Sequence, residues 1–185
     1  TNAEKQIASI SVKTNPTITA YEHGDTIDLT GGVIQVTYDD NSAEDIDMTD
    51  PSVSITTGSP ADVNNPIVKL DYKGQETSFN ITVTDPIQSL SVATPMTQGE
   101  YDHGDTLNFA GLTLSAVTKS GAATTISSTT PGLTISETTA NINSPNFTKT
   151  SGSSDVEVRG TQVIKFTYDG KTVQQTIIVN DKIAS

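Results

Sequence analysis

Apolar and polar residues alternate along nearly the whole chain with a period of two residues. This period places every second side chain on one face of an extended strand, so it predicts β-strands that bury one face. No segment shows the sustained apolar stripe of an amphipathic helix. In the first part of the chain the predicted inward-facing positions are Ile10 and Val12; Ile27 and Leu29; Ile34, Val36 and Tyr38; Ile46 and Met48; Val53 and Ile55; Val68, Leu70 and Tyr72; and Phe79, Ile81 and Val83.

The second part of the chain repeats this inward series with similar residue types. Two-residue turn signals, Lys73-Gly74 and Asp169-Gly170, separate the last two predicted strands of each part. Many short strands with regularly spaced turns predict an all-β fold built as a β-sandwich. The inward positions of the second part are Leu90 and Val92; Leu107 and Phe109; Leu112, Leu114 and Ala116; Ile126; Leu133 and Ile135; Ile164, Phe166 and Tyr168; and Ile177 and Val179.

A nine-residue phrase occurs twice, as residues 21–29 and again 80 residues later as residues 101–109. A fixed internal period is typical of a tandem of one structural unit. The offset between matching positions is 80 up to Ile135 and 96 from Tyr168, so the second copy carries 16 extra residues between them. We therefore expect two domains.

The predicted domains are residues 1–86, with 1–6 as an N-terminal tail, and residues 87–185 with the 16-residue insertion. Residues 183–185 are interpreted as the start of a truncated third repeat, which makes the chain a piece of a longer protein. The joint at residues 83–87 contains no glycine and includes Pro86, which restricts the backbone. We expect a stiff, extended, end-to-end arrangement of the two domains.

The chain is acidic, with a net charge of −12 and no cysteine. Residues 7–86 hold 13 acidic and 3 basic residues, a net charge of −10, whereas residues 87–182 hold 8 acidic and 6 basic residues, a net charge of −2. This charge disfavours nucleic acids and anionic membrane surfaces as partners. The lack of cysteine excludes disulfides and thiolate metal sites. No apolar run reaches the roughly 18 residues of a membrane span, so we expect no membrane insertion.

The repeated phrases, the segment 32–41 and the closing Tyr-x-Gly elements at 72–74 and 168–170 resemble the bacterial immunoglobulin-like domains of group 3. These domains occur in repeat arrays of Gram-positive surface proteins. The resemblance covers nearly the whole chain and implies two tandem immunoglobulin-like β-sandwiches. It also implies an extracellular or cell-surface location, associated with the cell wall or an S-layer, stalk-like modules, sometimes adhesion, and no enzyme. The second copy departs from the pattern at residues 117–120, where the tyrosine and the acidic pair are missing.

Each copy of the phrase contains a His-Gly-Asp triplet, at residues 23–25 and 103–105. Histidine beside aspartate is compatible with a catalytic pair or a metal site. The alternative is a turn, in which glycine adopts an unusual backbone conformation and aspartate binds neighbouring amides. We favour the turn, because no serine or cysteine with a nucleophile signature lies nearby in either copy.

The densest acidic run covers residues 39–50, and its counterpart in the second copy contains no acid. Calcium prefers six to eight oxygen ligands, which makes Asp39, Asp40, Asp45 and Asp47 weak calcium candidates. The favoured alternative is a solvated hairpin, since charge runs are usually exposed. A second, weaker candidate calcium site combines Asp85 with Glu22 or Asp102 at the joint between the units.

The sequence also contains candidate residues for a covalent crosslink and for partner binding. A covalent Lys–Asn crosslink, as some Gram-positive surface sandwiches contain, would need Lys13 with Asn80 or Lys165 with Asn180, and we do not expect it because these residues are out of phase with the inward series. Partner binding would use the insertion, residues 136–162, which is rich in serine, threonine and asparagine. Its candidates are Asn146, Phe147, Lys149 and Arg159, with Phe147 expected as an aromatic side chain outside the core.

We therefore expect a non-catalytic structural spacer of a bacterial cell-surface or secreted protein, which holds a functional region away from the cell wall. The first alternative is an adhesion module that binds a protein or a carbohydrate through the 136–162 hairpin, and the second is an accessory domain of a surface hydrolase. No cofactor is expected apart from the calcium candidates. The expected partners are neighbouring repeats of the same chain, with a surface protein or a polysaccharide as further candidates.

Overall fold

The computed structural model describes residues 5–152 and 157–181. In these residues the chain forms β-strands connected by turns and loops, and it divides into two compact units, residues 1–86 and 87–185. Residues 1–4 of the predicted tail and the predicted third repeat at 183–185 lie outside the described residues. None of the described residues forms a helix with the length and hydropathy needed to cross a membrane.

The first unit arranges its strands in two layers. One layer is the antiparallel sheet β1-β3-β4, and the other contains the antiparallel sheet β5-β6-β7 and the parallel pair β2-β8. The strands are β1 (Ile7–Thr14), β2 (Ala20–Glu22), β3 (Val33–Tyr38), β4 (Ala43–Asp47), β5 (Val53–Thr57), β6 (Ile67–Tyr72), β7 (Gln75–Asn80) and β8 (Thr82–Thr84).

The second unit repeats this arrangement with a larger second sheet. One sheet is β12-β11-β9, and the other has the order β10-β16-β15-β13, with β14 also paired to β15. The strands are β9 (Ile87–Thr94), β10 (Glu100–Asp102), β11 (Thr113–Thr118), β12 (Ala123–Ser127), β13 (Thr134–Ile135), β14 (Phe147–Ser151), β15 (Val158–Tyr168) and β16 (Lys171–Asp181).

Each unit buries its own core between its two layers. In the first unit Ile34 and Val36 of β3 and Val68 and Leu70 of β6 are all fully buried in one cluster. The second unit has its own cluster, in which the rings of Phe109 and Phe166 meet edge to face. Burial of one such side chain contributes roughly 1.5–3 kcal/mol relative to exposure. The predicted fold class, two tandem immunoglobulin-like β-sandwiches in an all-β chain, is confirmed.

Two element assignments from the pattern were wrong. The predicted strand at Ile27 and Leu29 is not a regular strand, although both side chains point inward. The Tyr21 hydroxyl explains this, because it accepts the Asp28 amide at 3.1 Å and lies 3.2 Å from the Asp28 carbonyl oxygen, so a side chain replaces the ladder partner. The pattern also did not predict the short strand β2, which lies directly before the His-Gly-Asp triplet.

The last predicted strand of the first unit, which runs through Phe79, Ile81 and Val83, is interrupted at Ile81 and forms β7 and β8. Its counterpart β16 in the second unit is one continuous strand of 11 residues. The difference coincides with the insertion, because β15 is also 11 residues long and pairs with the whole of β16, from Val158–Asp181 to Tyr168–Lys171. The insertion thus adds sheet to the second unit.

Candidate functional site

The His-Gly-Asp triplet of the first unit closes a loop against the segment that precedes β6. The Gly24 amide donates to the Ala61 carbonyl and the Ala61 amide donates to the Asp25 carbonyl, both at 2.8 Å. The Asp25 carboxylate accepts the Glu22 amide at 2.8 Å, and the His23 Nδ1 accepts the Val63 amide at 3.3 Å. Gly24 has φ of 88°, a conformation that favours glycine.

The second unit makes the same contacts with its own copy of the phrase. Gly104 donates to the Ala140 carbonyl at 2.9 Å, Ala140 donates to the Asp105 carbonyl at 2.8 Å, and the Asp105 carboxylate accepts the Asp102 amide at 2.9 Å. The His103 Nδ1 accepts a hydrogen bond from the Ile142 amide at 3.4 Å. In both units the histidine and the aspartate accept hydrogen bonds from backbone amides, and His23 Nδ1 also lies 3.7 Å from the Asp62 carboxylate. This geometry agrees with the turn interpretation of the motif.

The acidic run at residues 39–50, hereafter the acidic hairpin, directs its carboxylates to partners in the same unit. The Lys5 ammonium lies 2.8 Å from the Asp40 carboxylate, and this bond, together with the Ser42 hydroxyl and amide, holds the pKa of Asp40 well below its usual value. Asp45 binds the Lys13 ammonium, and that hydrogen bond lowers the pKa of Asp45.

Asp47 also has a local partner. Its carboxylate accepts the Thr49 hydroxyl at 2.7 Å and the Thr49 amide at 2.8 Å, and both bonds lower the pKa of Asp47. Asp39, the remaining calcium candidate, is exposed at the turn that follows β3. In the ranges 5–152 and 157–181, no group of three or more histidine, cysteine, aspartate or glutamate side chains is placed to hold a metal ion.

The acidic hairpin also borders a shallow depression of about 570 Å³, lined by polar side chains. These side chains bind one another: the Tyr38 hydroxyl donates to the Glu44 carboxylate at 2.7 Å, which raises the pKa of Tyr38, and the Lys5 ammonium is 5.7 Å from the centre of the Tyr38 ring. Because these polar side chains already bind one another, few of them are available to bind a ligand.

The insertion contains a buried polar network centred on Gln162, which is 0% exposed. The Gln162 side chain accepts the Asn141 amide at 2.8 Å, donates to the Thr139 carbonyl at 3.1 Å and binds the Glu137 carboxylate. The same carboxylate accepts the Ser144 hydroxyl at 2.7 Å and the Asn146 side-chain amide at 2.6 Å. Asn146, a predicted partner-binding residue, therefore uses its side chain inside the unit.

Phe147 does not lie outside the core as we expected. It is half-buried and packs against the apolar cluster of the second unit. Its ring covers Gly160, where an added Cβ would collide with Phe147 and with the Thr148 carbonyl. The reason is the pairing of β14 with β15, which brings the ring over the one residue of β15 that has no side chain to block it.

The two cationic candidates differ in their surroundings. Lys149 is exposed on β14, opposite Gly160. The Arg159 guanidinium binds the Glu100 carboxylate at 2.8 Å and the Asn180 side-chain oxygen at 3.2 Å. Asn180 also donates to the same Glu100 oxygen at 2.8 Å. The arginine thus ties the insertion to both β16 and β10, and Lys149 is the candidate that projects most freely from the insertion.

The structure does not bring the two candidate crosslink pairs together. Lys13 is an exposed partner of Asp45, whereas Asn80 pairs with Ile67 across the other layer. Lys165 pairs with Gln174, and Asn180 lies six positions further along the strand, opposite Arg159.

Glu137 and Gln162 were missed at the level of sequence. A signal was present, because Gln162 lies in phase with the inward-facing Ile164 and Phe166, and a polar residue at an inward position needs a partner. The partner itself, Glu137, is 25 residues away in sequence, and no local pattern links the two residues.

Residues 14–83 match the family model described as bacterial Ig-like domain (group 3). Among solved structures, one match is the "Solution structure of a putative surface protein", at 32% identity over 44% of this chain and 91% of that chain, with a TM-score of 0.25. Another is domains 4–9 of the surface layer protein SbsC, at 13% identity over 97% of this chain and 32% of that chain, with a TM-score of 0.27. No curated protein matches the chain.

Proposed function

Because residues 14–83 match the family model of the bacterial Ig-like domain (group 3), we propose that the chain is a non-catalytic spacer of a bacterial cell-surface or secreted protein. In this role the two units contribute length and mechanical resistance, and a functional region elsewhere in the protein makes the specific contacts. The proposal includes an extracellular location at the cell wall or in a surface layer.

The observation that supports this proposal most directly concerns the His-Gly-Asp triplet, whose residue types are compatible with catalysis or metal binding. The triplet forms the same loop in both units. Both His-Gly-Asp triplets make the same backbone hydrogen bonds, to Ala61 and Val63 in one unit and to Ala140 and Ile142 in the other. A triplet that closes the same loop twice has a structural role in each unit. Each unit also has its own core, so it resists unfolding by itself.

An exchange experiment in the native protein tests the spacer role. Residues 7–181 are replaced by an unrelated pair of β-sandwich domains of the same total length, and in a second strain they are deleted. We expect the exchange to preserve the activity of the distal region at the cell surface and the deletion to reduce it. Loss of that activity in the exchanged strain, with normal surface expression, would show that this chain contributes specific contacts.

Adhesion is a second candidate because the insertion gives the second unit an outer strand that the first unit lacks. On β14, Thr148, Lys149 and Thr150 are exposed. Deletion of residues 137–160 would not separate binding from stability. It removes Ala140, which is fully buried and forms backbone hydrogen bonds with Gly104 and Asp105. Lys149→Glu, with the exposed Lys165→Glu on β15 as the matched control, changes the charge and leaves the core intact. A selective loss of cell adhesion in Lys149→Glu would favour the binding role.

A further inference from the structure

The second unit has a sheet edge at β12, which is the outer strand of the sheet β12-β11-β9. β12 pairs with β11 on one side, and no strand of the described residues pairs with its other side. The side chains of Ala123, Thr124 and Thr125 are all exposed. Within the described ranges, this edge is therefore open.

Two hydrogen-bonded positions show which backbone groups point to the open side. The Ala122 carbonyl accepts the Thr118 amide at 2.9 Å and so points towards β11. The Ser127 amide donates to the Thr130 hydroxyl at 2.9 Å, and the Ser127 carbonyl accepts the Thr130 amide at 3.0 Å, so both groups point away from β11.

Backbone groups in an antiparallel pair alternate between the two sides of a strand. The amides and carbonyls of Ala123 and Thr125 therefore point away from β11, as those of Ser127 do. Ser127 is bound to the turn that follows the strand, whereas neither Ala123 nor Thr125 has a backbone partner on that side among the described residues.

Charge distinguishes this edge from its counterpart β4 in the first unit. β4 has acidic residues at positions 44, 45 and 47, and the matching residues of β12 are two threonines and a serine. The second unit has no charged residue between Lys119 and Glu137. Charged side chains on an edge strand hinder its pairing with another chain. The first unit has this protection and the second unit lacks it.

The uncharged surface continues from β12 across the outer face of its sheet. Leu114 and Ala116 of β11 are fully buried, so the residues between and beside them face outward. The strand registers place small uncharged residues on this outer face: Ser89, Ser91, Ser115, Val117, Ala123 and Thr125.

The open backbone groups of β12 are complementary to those of a second β12 strand. When two such strands lie antiparallel with Thr124 opposite Thr124, Ala123 of each strand lies opposite Thr125 of the other. Each open amide then meets an open carbonyl, which is the hydrogen-bonded type of antiparallel pair. The bonds between Ser127 and Thr130 stay intact in this register.

Charge also favours a second copy at this edge over a second copy elsewhere. Two chains with a net charge of −12 repel each other, and the repulsion is weakest where the surface is uncharged. The same register at β4 would place Glu44 directly opposite Glu44, and like charges in that position are destabilising.

We propose that β12 pairs with β12 of a second copy of this chain, in an antiparallel register centred on Thr124. The pairing joins the sheets β12-β11-β9 of two chains into one continuous sheet with an uncharged outer face. Because few residues take part, the contact buries much less than the roughly 1,200 Å² of a stable complex, and the dimer is weak and reversible.

Disulfide trapping in the full chain tests this register. The chain has no cysteine, so Thr124→Cys introduces a single thiol. Residues opposite each other in a pair of this type have Cα atoms about 4.5 Å apart, which lies within the range of a disulfide. In a glutathione redox buffer, we expect Thr124→Cys to form linked dimers roughly tenfold faster than Thr129→Cys, an exposed site in the following turn.

Two changes to the Thr124→Cys chain should return its rate of dimer formation to that of Thr129→Cys. Ala123→Asp combined with Thr125→Asp places like charges opposite each other across the pair, and both sites are exposed in the single chain. Thr125→Pro removes an amide that points to the open side and leaves the pairing with β11 intact.

NMR spectra of the unmodified chain provide a measurement that needs no variant. Between about 20 µM and about 1 mM protein, a range that suits a weak dimer, the amide resonances of Ala123 and Thr125 should shift with concentration. The resonances of Ala43 and Asp45, which occupy the matching positions in β4, should stay unchanged.

Four results would overturn the proposal. Equal rates for Thr124→Cys and Thr129→Cys would mean that random collision explains the dimers. Faster trapping of Thr125→Cys than of Thr124→Cys would contradict the register. Slow hydrogen exchange of the Ala123 and Thr125 amides in dilute protein would show that the edge is covered within one chain. Amide resonances that stay constant up to about 1 mM would show that the edge binds no second copy.

Discussion

Replacement of Gln162 by alanine should destabilise the second unit and leave the first unit unaffected. The Gln162 side chain is fully buried and binds the Asn141 amide, the Thr139 carbonyl and the Glu137 carboxylate. Without it, the Asn141 amide, the Thr139 carbonyl and the Glu137 carboxylate each lose the hydrogen-bond partner that shields them from water.

The expected magnitude follows from these three bonds. A hydrogen bond between neutral groups contributes about 0.5–1.5 kcal/mol, and one to a charged group contributes about 1.5–3 kcal/mol. Because the bonds share one side chain and do not add fully, we expect a loss of about 3 kcal/mol in the free energy of unfolding. For a unit of this size, 1 kcal/mol corresponds to a shift in Tm of about 4–8 °C, so the second transition should fall by about 12–24 °C.

Differential scanning calorimetry of the full chain measures both transitions. The transition of the second unit is assigned with Leu114→Ala, which removes a fully buried side chain from that unit alone. Pro66 occupies the position equivalent to Gln162 in the first unit and is exposed, so Pro66→Ala is the matched control and should change Tm by less than about 4 °C. A fall of less than about 4 °C in Gln162→Ala, or equal falls in both transitions, would refute the reasoning.

Four further predictions follow from the same contacts. Gly24→Ala should cost about 1–2 kcal/mol, because φ of 88° is unfavourable for alanine although an added Cβ meets no atom there; chemical denaturation measures this. Gly160→Ala should cost more, about 3 kcal/mol, because its Cβ collides with the Phe147 ring and with backbone, and the same assay compares the two variants. Lys13→Ala should raise the pKa of Asp45 towards its ordinary value in an NMR titration; the stability that this lowered pKa provides is present above the unfolded value and is lost as pH falls through the folded one, so the variant should lose less stability in acid. Millimolar calcium should leave both melting transitions unchanged, because the carboxylates of the acidic hairpin bind lysine and threonine partners, and a rise in Tm would identify a calcium site instead.

The alternation of apolar residues predicted most of the side chains that form the cores, but it did not predict Ala61, Met96 and Ala140, which are buried outside the regular strands. Ile34, Val36, Val68 and Leu70 lie at the predicted inward positions and are fully buried. This success has a simple physical basis, because one buried face of a strand has a period of two whatever its neighbours are.

The same pattern could not assign the segment at Ile27 and Leu29, where a tyrosine hydroxyl replaces the strand partner. Burial and strand pairing usually coincide in a sandwich, but they are different properties, and the sequence reports burial more directly than hydrogen bonding. The interruption of the last strand at Ile81 has the same origin, since the pattern of side chains continues through it.

The insertion was located by the change in the repeat offset, but its role could not be predicted. Its residues are polar and resemble a loop, whereas the structure uses them to bury Gln162 and to pair with β16. Both features depend on contacts between residues distant in sequence, and Phe147 was misjudged for that reason.

Single-molecule force spectroscopy of the full chain, held at its two ends, tests the central claim that the chain consists of two separately folded units that each resist force. The strands of the first unit span residues 7–84 and those of the second span residues 87–181. At about 3.5 Å per extended residue, these spans release roughly 27 nm and 33 nm, before the folded length of each unit is subtracted. We predict two unfolding events, with the larger length increase from the unit that carries the insertion. One event with a combined release of roughly 60 nm would contradict the account, because it would mean that the two units share one cooperative core.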